Sequence, residues 1–142
     1  MAHVTAIDNP VVHALLAERK DGLVILALPG TDYRIHLAVA SASEGLKHAE
    51  LNRPITGRIF AQAKRVDVVT TGGRFIEPVY GRPRRIQGRI ISTDETANTI
   101  TLFCGCPFTC QLMAIQKASE FSVGQLVSFD VEKGARFEVE SH

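Results

Sequence analysis

The chain has 142 residues and a formal net charge of +1 at pH 7, with 45% hydrophobic and 22% charged residues. This balance of hydrophobic and charged residues excludes a disordered chain, and the length suffices for one domain with its own core. No apolar run approaches the roughly 20 residues that cross a membrane as a helix. The N-terminus carries neither the basic nor the apolar region of a secretory signal, and the three cysteines are an odd number, so we expect a cytoplasmic protein with free thiols.

The N-terminal part of the sequence predicts a helix followed by a β-hairpin. Asn9 is a good N-cap and Pro10 suits the first helical position, so the pattern predicts a helix over residues 10–20. Two apolar segments, 23–28 and 33–40, flank the turn sequence PGTD. This arrangement is typical of a β-hairpin.

In residues 53–142 the sequence pattern predicts short strands, with turn signals every eight to twelve residues. Gly72 and Gly73 together indicate a tight hairpin turn with at least one residue at positive φ. Such a pattern is typical of a mostly β protein, a small antiparallel β-barrel. We expect residues 1–52 to pack on this barrel, so that residues 1–142 form a single domain.

Two segments carry a resemblance to known small barrels. The first is RRIQGRIISTDETANTITLF, a glycine-containing strand followed by a hairpin, and the second is FSVGQLVSFDVEKGARFEV, with a glycine just before an alternating strand. Residues 84–140 thereby resemble an OB-fold-like or TOBE-like barrel. The resemblance implies a fold that binds nucleic acid, oligosaccharide, protein or small anions in different proteins, so it does not select a ligand.

Charge is strongly segregated along the chain. Residues 53–89 hold nine Lys/Arg and two acidic residues, a net charge of +7, whereas residues 90–142 carry −4. Because arginine side chains match phosphate groups in a bidentate geometry, the segment predicts a surface for nucleic acid or another polyanion. The alternative is that these side chains pair with the acidic C-terminal strands, or that the charges serve assembly of a homo-oligomer. The candidate residues are Arg74, Arg82, Arg84, Arg85 and Arg89.

All three cysteines, Cys104, Cys106 and Cys110, lie close together in the sequence FCGCPFTCQ. Strand alternation places Cys104 and Cys110 on the core face, and a hairpin loop at 105–107 leaves Cys106 at an exposed tip, where it would be the reactive thiol. The alternative is a redox site, or a thiolate site for zinc or another thiophilic metal. A fourth ligand would then come from another chain or from a histidine: His13, His36 or His48.

No recognised catalytic motif is present: the sequence lacks a phosphate-binding glycine loop, a nucleophile elbow and the HExxH pattern. Its carboxylates fall in turns or on alternating strand positions, as solvated charges do. We therefore expect a non-catalytic binding or interaction module with no cofactor and no membrane partner.

Overall fold

The computed structural model describes residues 11–20, 22–39 and 49–140. A short 3₁₀ turn at Ala118–Glu120 accompanies the strands, and the described residues contain no helix long and apolar enough to cross a membrane. The described strands are β1 (Val12–Lys20), β2 (Leu23–Ala27), β3 (Arg34–Ala38), β4 (Pro54–Gln62), β5 (Asp67–Val68), β6 (Phe75–Glu77), β7 (Tyr80–Gly81), β8 (Arg85–Asp94), β9 (Thr99–Phe103), β10 (Pro107–Gln111), β11 (Leu126–Asp130) and β12 (Arg136–Val139).

Five strands close into a small barrel in the order β4, β10, β9, β8, β11. The β4–β10 pairing is parallel, and the β10–β9, β9–β8 and β8–β11 pairings are antiparallel. The ring closes where Ala63 bridges to Val131 in antiparallel fashion, beside a hydrogen bond of 2.9 Å from the Lys64 amide to the Asp130 carbonyl. The predicted small β-barrel is confirmed, with one parallel pairing in it.

The predicted N-terminal helix is wrong, because residues 12–20 form the strand β1 and the described residues contain no α-helix. Val12, Ala14 and Leu16 are buried and alternate with less buried neighbours, which is the two-residue period of a strand. The backbone of β1 is paired with β4 over its first half and with β2 over its second half. These ladders satisfy the amide groups that a helix would have satisfied internally. The capping residues on which the helix prediction depended lie outside the described residues.

The N-terminal strands share one core with the barrel. The predicted hairpin is confirmed as the antiparallel pair β2–β3. Strand β3 then joins β12, β12 pairs with β4, and β4 pairs with β1, so the pairings form a second closed circuit that shares β4 with the barrel. One hydrophobic cluster runs through both circuits, from Val24 and Leu37 through Ile59 to Ile86 and Phe129.

The predicted hairpin at Gly72 and Gly73 is wrong, although Gly72 has the expected positive φ, at 110°. Strand β5 pairs with β11 and strand β6 pairs with β8, so the two strands that flank the glycines do not pair with each other. Instead the segment crosses the outer face of β8, where Gln87 Nε2 donates a hydrogen bond of 2.7 Å to the Gly73 carbonyl. The glycines therefore connect two regions of the barrel surface.

Candidate functional site

A cleft of about 990 Å³ lies where the N-terminal strands meet the barrel. It is bounded by the end of β1, the start of β2, the strand β3, the residue two positions after β4, the loop before β8 and the β11–β12 turn. Segments far apart in sequence therefore contribute to one concave surface. Among the described residues, six cationic ones line it: Lys20, Lys64, Arg82, Arg84, Arg85 and Lys133.

The cleft has a positive charge. Among the described lining residues, six cationic side chains accompany two carboxylates, Asp130 and Glu132, so these residues together carry a net charge of +4. Positive charge concentrated in a concave surface focuses the electrostatic potential and raises the local concentration of anions. The described residues of the cleft therefore form a surface that attracts anions.

Three of the five predicted arginines meet in this cleft. Arg82 and Arg84 are exposed, and within the described part of the chain neither takes part in an ion pair. Arg85 is different, because its Nη1 lies 2.8 Å from Asp130 Oδ1 and its Nη2 donates to Ser128 Oγ at 3.0 Å. Arg82 and Arg84 therefore keep their hydrogen-bond donors for a ligand, while Arg85 is partly neutralised by a C-terminal acid.

The other two predicted arginines, Arg74 and Arg89, lie beside Phe103 on the outer face of the barrel. The Arg74 guanidinium stands 4.9 Å from the centre of the Phe103 ring, and Arg89 is the register partner of Phe103. Gln87, on the same face of β8 as Arg85 and Arg89, is buried under the segment that carries Gly73. The predicted arginine surface is thus divided into two groups.

The sequence prediction missed the lysines of the cleft. Lys20 ends β1, Lys64 follows β4, and Lys133 lies in the turn before β12. No local pattern relates these positions, because they become neighbours only when the two circuits of strands close. Their one shared signal is that each lies at or near a strand end.

His36 and Tyr80 form an aromatic pair next to the cleft. His36 lines the cleft, and its ring meets that of Tyr80 edge to face at a centroid distance of 4.7 Å. Tyr80 is 62% exposed, so its ring is accessible to a ligand. The Nε2 atom of His36 is buried and has no hydrogen-bond partner among the described residues.

The three cysteines are free and buried. The predicted burial of Cys104 and Cys110 is confirmed. The predicted exposure of Cys106 is wrong, because this residue is only 5% exposed. In the β9–β10 hairpin Phe103 pairs with Pro107, so the loop begins at residue 104, one residue earlier than predicted. The pairing register is consequently shifted by two residues. A shift of two preserves which side chains face the core, which is why the burial of Cys104 and Cys110 was predicted correctly.

The tip of this hairpin is covered by neighbouring segments. A side chain built at Gly105 would lie 3.7 to 3.9 Å from Ile76, Tyr33 and Leu28, so the tip is packed against β6 and the β2–β3 turn. The Tyr33 hydroxyl also accepts a hydrogen bond of 3.2 Å from the Ile76 amide. This cover explains the burial of Cys106, which local sequence could not indicate.

Burial suppresses the reactivity of the thiols. Desolvation raises the pKa of Cys104 to about 12 and raises the pKa values of Cys106 and Cys110 well above their ordinary range. The nearby Cys104 raises the latter two pKa values further. Because the thiolate is the nucleophile, these thiols are poor candidates for a reactive redox or covalent site. The described residues contain no group of three or more His, Cys, Asp or Glu placed to hold a metal ion, and His48 lies outside them.

We expect all three cysteines of the native protein to resist iodoacetamide at neutral pH. Burial excludes the reagent and the raised pKa values keep the thiols protonated. Mass spectrometry should find labelling only as the protein unfolds, and then at all three positions together. Rapid labelling of Cys106 alone, under conditions in which the far-UV circular dichroism spectrum is unchanged, would contradict the covered hairpin tip.

Comparisons of the chain with protein family models, curated proteins and solved structures found no match.

Proposed function

We propose that the protein is a non-catalytic binding module that holds a polyanion, with nucleic acid as the leading class, in the cationic cleft. The observation that carries the proposal is the convergence of cationic side chains from four separate segments into one cleft, whose described lining residues carry a net charge of +4. Folding brings these like charges together, which opposes stability and is typical of a surface that awaits an anionic partner.

The chemistry of the cleft suits phosphate groups. The guanidinium groups of Arg82 and Arg84 offer paired N–H donors that match phosphate oxygens, and Lys64 and Lys133 add compact positive charges. The closed five-stranded barrel is loosely compatible with an OB-like fold, and barrels of that class present one face and adjacent loops to oligonucleotides. Few aromatic side chains are available for stacking, so electrostatic contacts should dominate the affinity.

One observation favours the rival interpretation, in which the charges pair within the protein or across an interface. Arg85 forms its ion pair with Asp130, an acid of the C-terminal region. The pair is exposed to solvent on both sides, so it contributes about 1 kcal/mol at most. The pair neutralises one arginine of the cleft, but it does not change the positive charge that Arg82 and Arg84 contribute there.

The experiment that tests the proposal is a salt titration of binding. Single-stranded DNA, duplex DNA and heparin are titrated with the protein, and the dissociation constant is followed by fluorescence anisotropy. Each phosphate contact releases condensed counterions, so the affinity should fall by at least about tenfold between about 50 and 200 mM salt. The proposal is wrong if none of the three polyanions binds at the lower salt concentration.

A further inference from the structure

The floor and the rim of the cleft differ in chemistry. The rim is cationic, whereas buried apolar side chains of Pro83, Val131 and Ala135 form part of the lining, together with the half-buried Leu23 and Ala38. A simple polyphosphate would use only the rim. The apolar lining offers a place for a part of the ligand that carries no charge.

His36 adds an unused polar group to this lining. Its Nε2 atom is sealed from solvent and unpartnered within the described residues, while the ring beside it, Tyr80, is exposed. Leaving a buried polar atom without a partner is unfavourable, and native proteins seldom do so without a reason. Nε2 would gain the missing partner if a ligand displaced one of the side chains that cover it.

We infer that the cleft takes a nucleotide, with its phosphates on Arg82, Arg84 and Lys64 and its planar base against the apolar lining beside His36. This inference rests on the proposed function and specifies the ligand of the same site. The volume of about 990 Å³ lies at the upper end of the range for small-ligand pockets, which suits a nucleotide. The shared chemistry is that of a phosphate ester carrying a base, whether it is a free nucleotide or the terminal unit of a nucleic-acid strand.

The test compares adenosine triphosphate with inorganic tripolyphosphate by isothermal titration calorimetry. Tripolyphosphate lacks the base and carries at least as much negative charge, so electrostatics alone would favour it. Because contacts to a base add to those of the phosphates, we expect the nucleotide to bind at least about tenfold more tightly. Equal binding, or tighter binding of tripolyphosphate, would overturn the inference.

A variant that fills the apolar lining sharpens the test. Ala38→Leu places a larger side chain in the cleft, while the Ala38 amide keeps its hydrogen bond of 2.9 Å to the Ala135 carbonyl. The variant should lose the nucleotide preference and bind tripolyphosphate as the parent does. An unchanged preference in a folded Ala38→Leu protein would contradict a base in this position.

His36→Phe is the second variant, and it keeps the test decisive if Ala38→Leu does not fold. It retains a ring against Tyr80 and removes the unpartnered atom, so its melting temperature should equal that of the parent or exceed it by about 2 to 4 °C. Its affinity for the nucleotide should fall while that for tripolyphosphate stays the same. A parental nucleotide affinity would overturn the role given to His36.

Binding of single-stranded oligonucleotides with and without a 5′-phosphate distinguishes a site for a free nucleotide from a site for the terminal unit of a strand. If only the phosphorylated strand binds, and Ala38→Leu prevents it, the site takes a strand terminus. If substitution of Arg82 and Arg84 weakens strand binding but Ala38→Leu and His36→Phe leave it unchanged, the inference fails and the proposed function stands. If no nucleotide, strand or heparin binds, both fail.

Discussion

Replacing Gly88 by alanine should destabilise the protein by about 3 kcal/mol and lower its melting temperature by roughly 10 °C. Gly88 lies in the middle of β8, and a Cβ atom there would clash with the Phe103 carbonyl oxygen and lie 2.7 Å from its carbon. The obstacle is backbone of the paired strand β9, which cannot move aside as a flexible side chain can. Relief of the clash therefore requires β8 and β9 to separate, and with them the barrel wall.

Gly73→Ala is the matched control for this substitution. Gly73 is exposed, nothing lies within 4 Å of a Cβ atom built there, and its φ is outside the positive range. The control should stay within about 0.5 kcal/mol of the parent in urea denaturation. If Gly88→Ala is as stable as Gly73→Ala, the close approach of β8 and β9 is not a feature of the folded protein.

Local sequence patterns were sufficient to predict much of the barrel. The period-two alternation of the strands predicted that Cys104 and Cys110 face the core, and the structure buries both. A hairpin whose pairing register is shifted by two residues still buries the same side chains, so the wrong register did not affect this prediction. The turn sequence between residues 28 and 33 likewise predicted the β2–β3 hairpin.

Long-range pairing decided the elements that the sequence predicted wrongly. In residues 12–16 the apolar positions satisfy both a helical and a strand period, and pairing with β2 and β4 selects the strand. At Gly72 the turn chemistry was recognised, but the flanking strands have better partners in β8 and β11. Propensity is a weak prior wherever tertiary pairing can override it.

The candidate site could be predicted only in part for the same reason. The density of arginines in sequence identified Arg82 and Arg84, which lie near each other along the chain. Lys20, Lys64 and Lys133 come from other segments and join them only through closure of the strands. Arg74 and Arg89 belong to the same stretch of sequence, yet the segment over Gln87 separates them from the cleft.

Removing two charges from the cleft should have the largest effect on binding. The double variant Arg82→Gln, Arg84→Gln loses two guanidinium groups that line the cleft and have no ion-pair partner within the described residues. Charged hydrogen bonds contribute about 1.5 kcal/mol or more each, so the affinity for single-stranded DNA should fall about 100-fold. Stability should change little, because both side chains are exposed.

The control double variant is Arg74→Gln, Arg89→Gln, which removes the same charge from the outer face beside Phe103. It separates a specific cleft from a general effect of net charge. Non-specific attraction would weaken equally in both double variants, whereas a site in the cleft would respond only to the first.

The salt dependence of the dissociation constant, measured for the parent and both double variants, tests the cleft most directly. The slope of log affinity against log salt should decrease in magnitude by about two for Arg82→Gln, Arg84→Gln, and should stay at the parental value for Arg74→Gln, Arg89→Gln. Equal slopes for the two double variants, or a parental slope in the cleft variant, would contradict polyanion binding in the cleft.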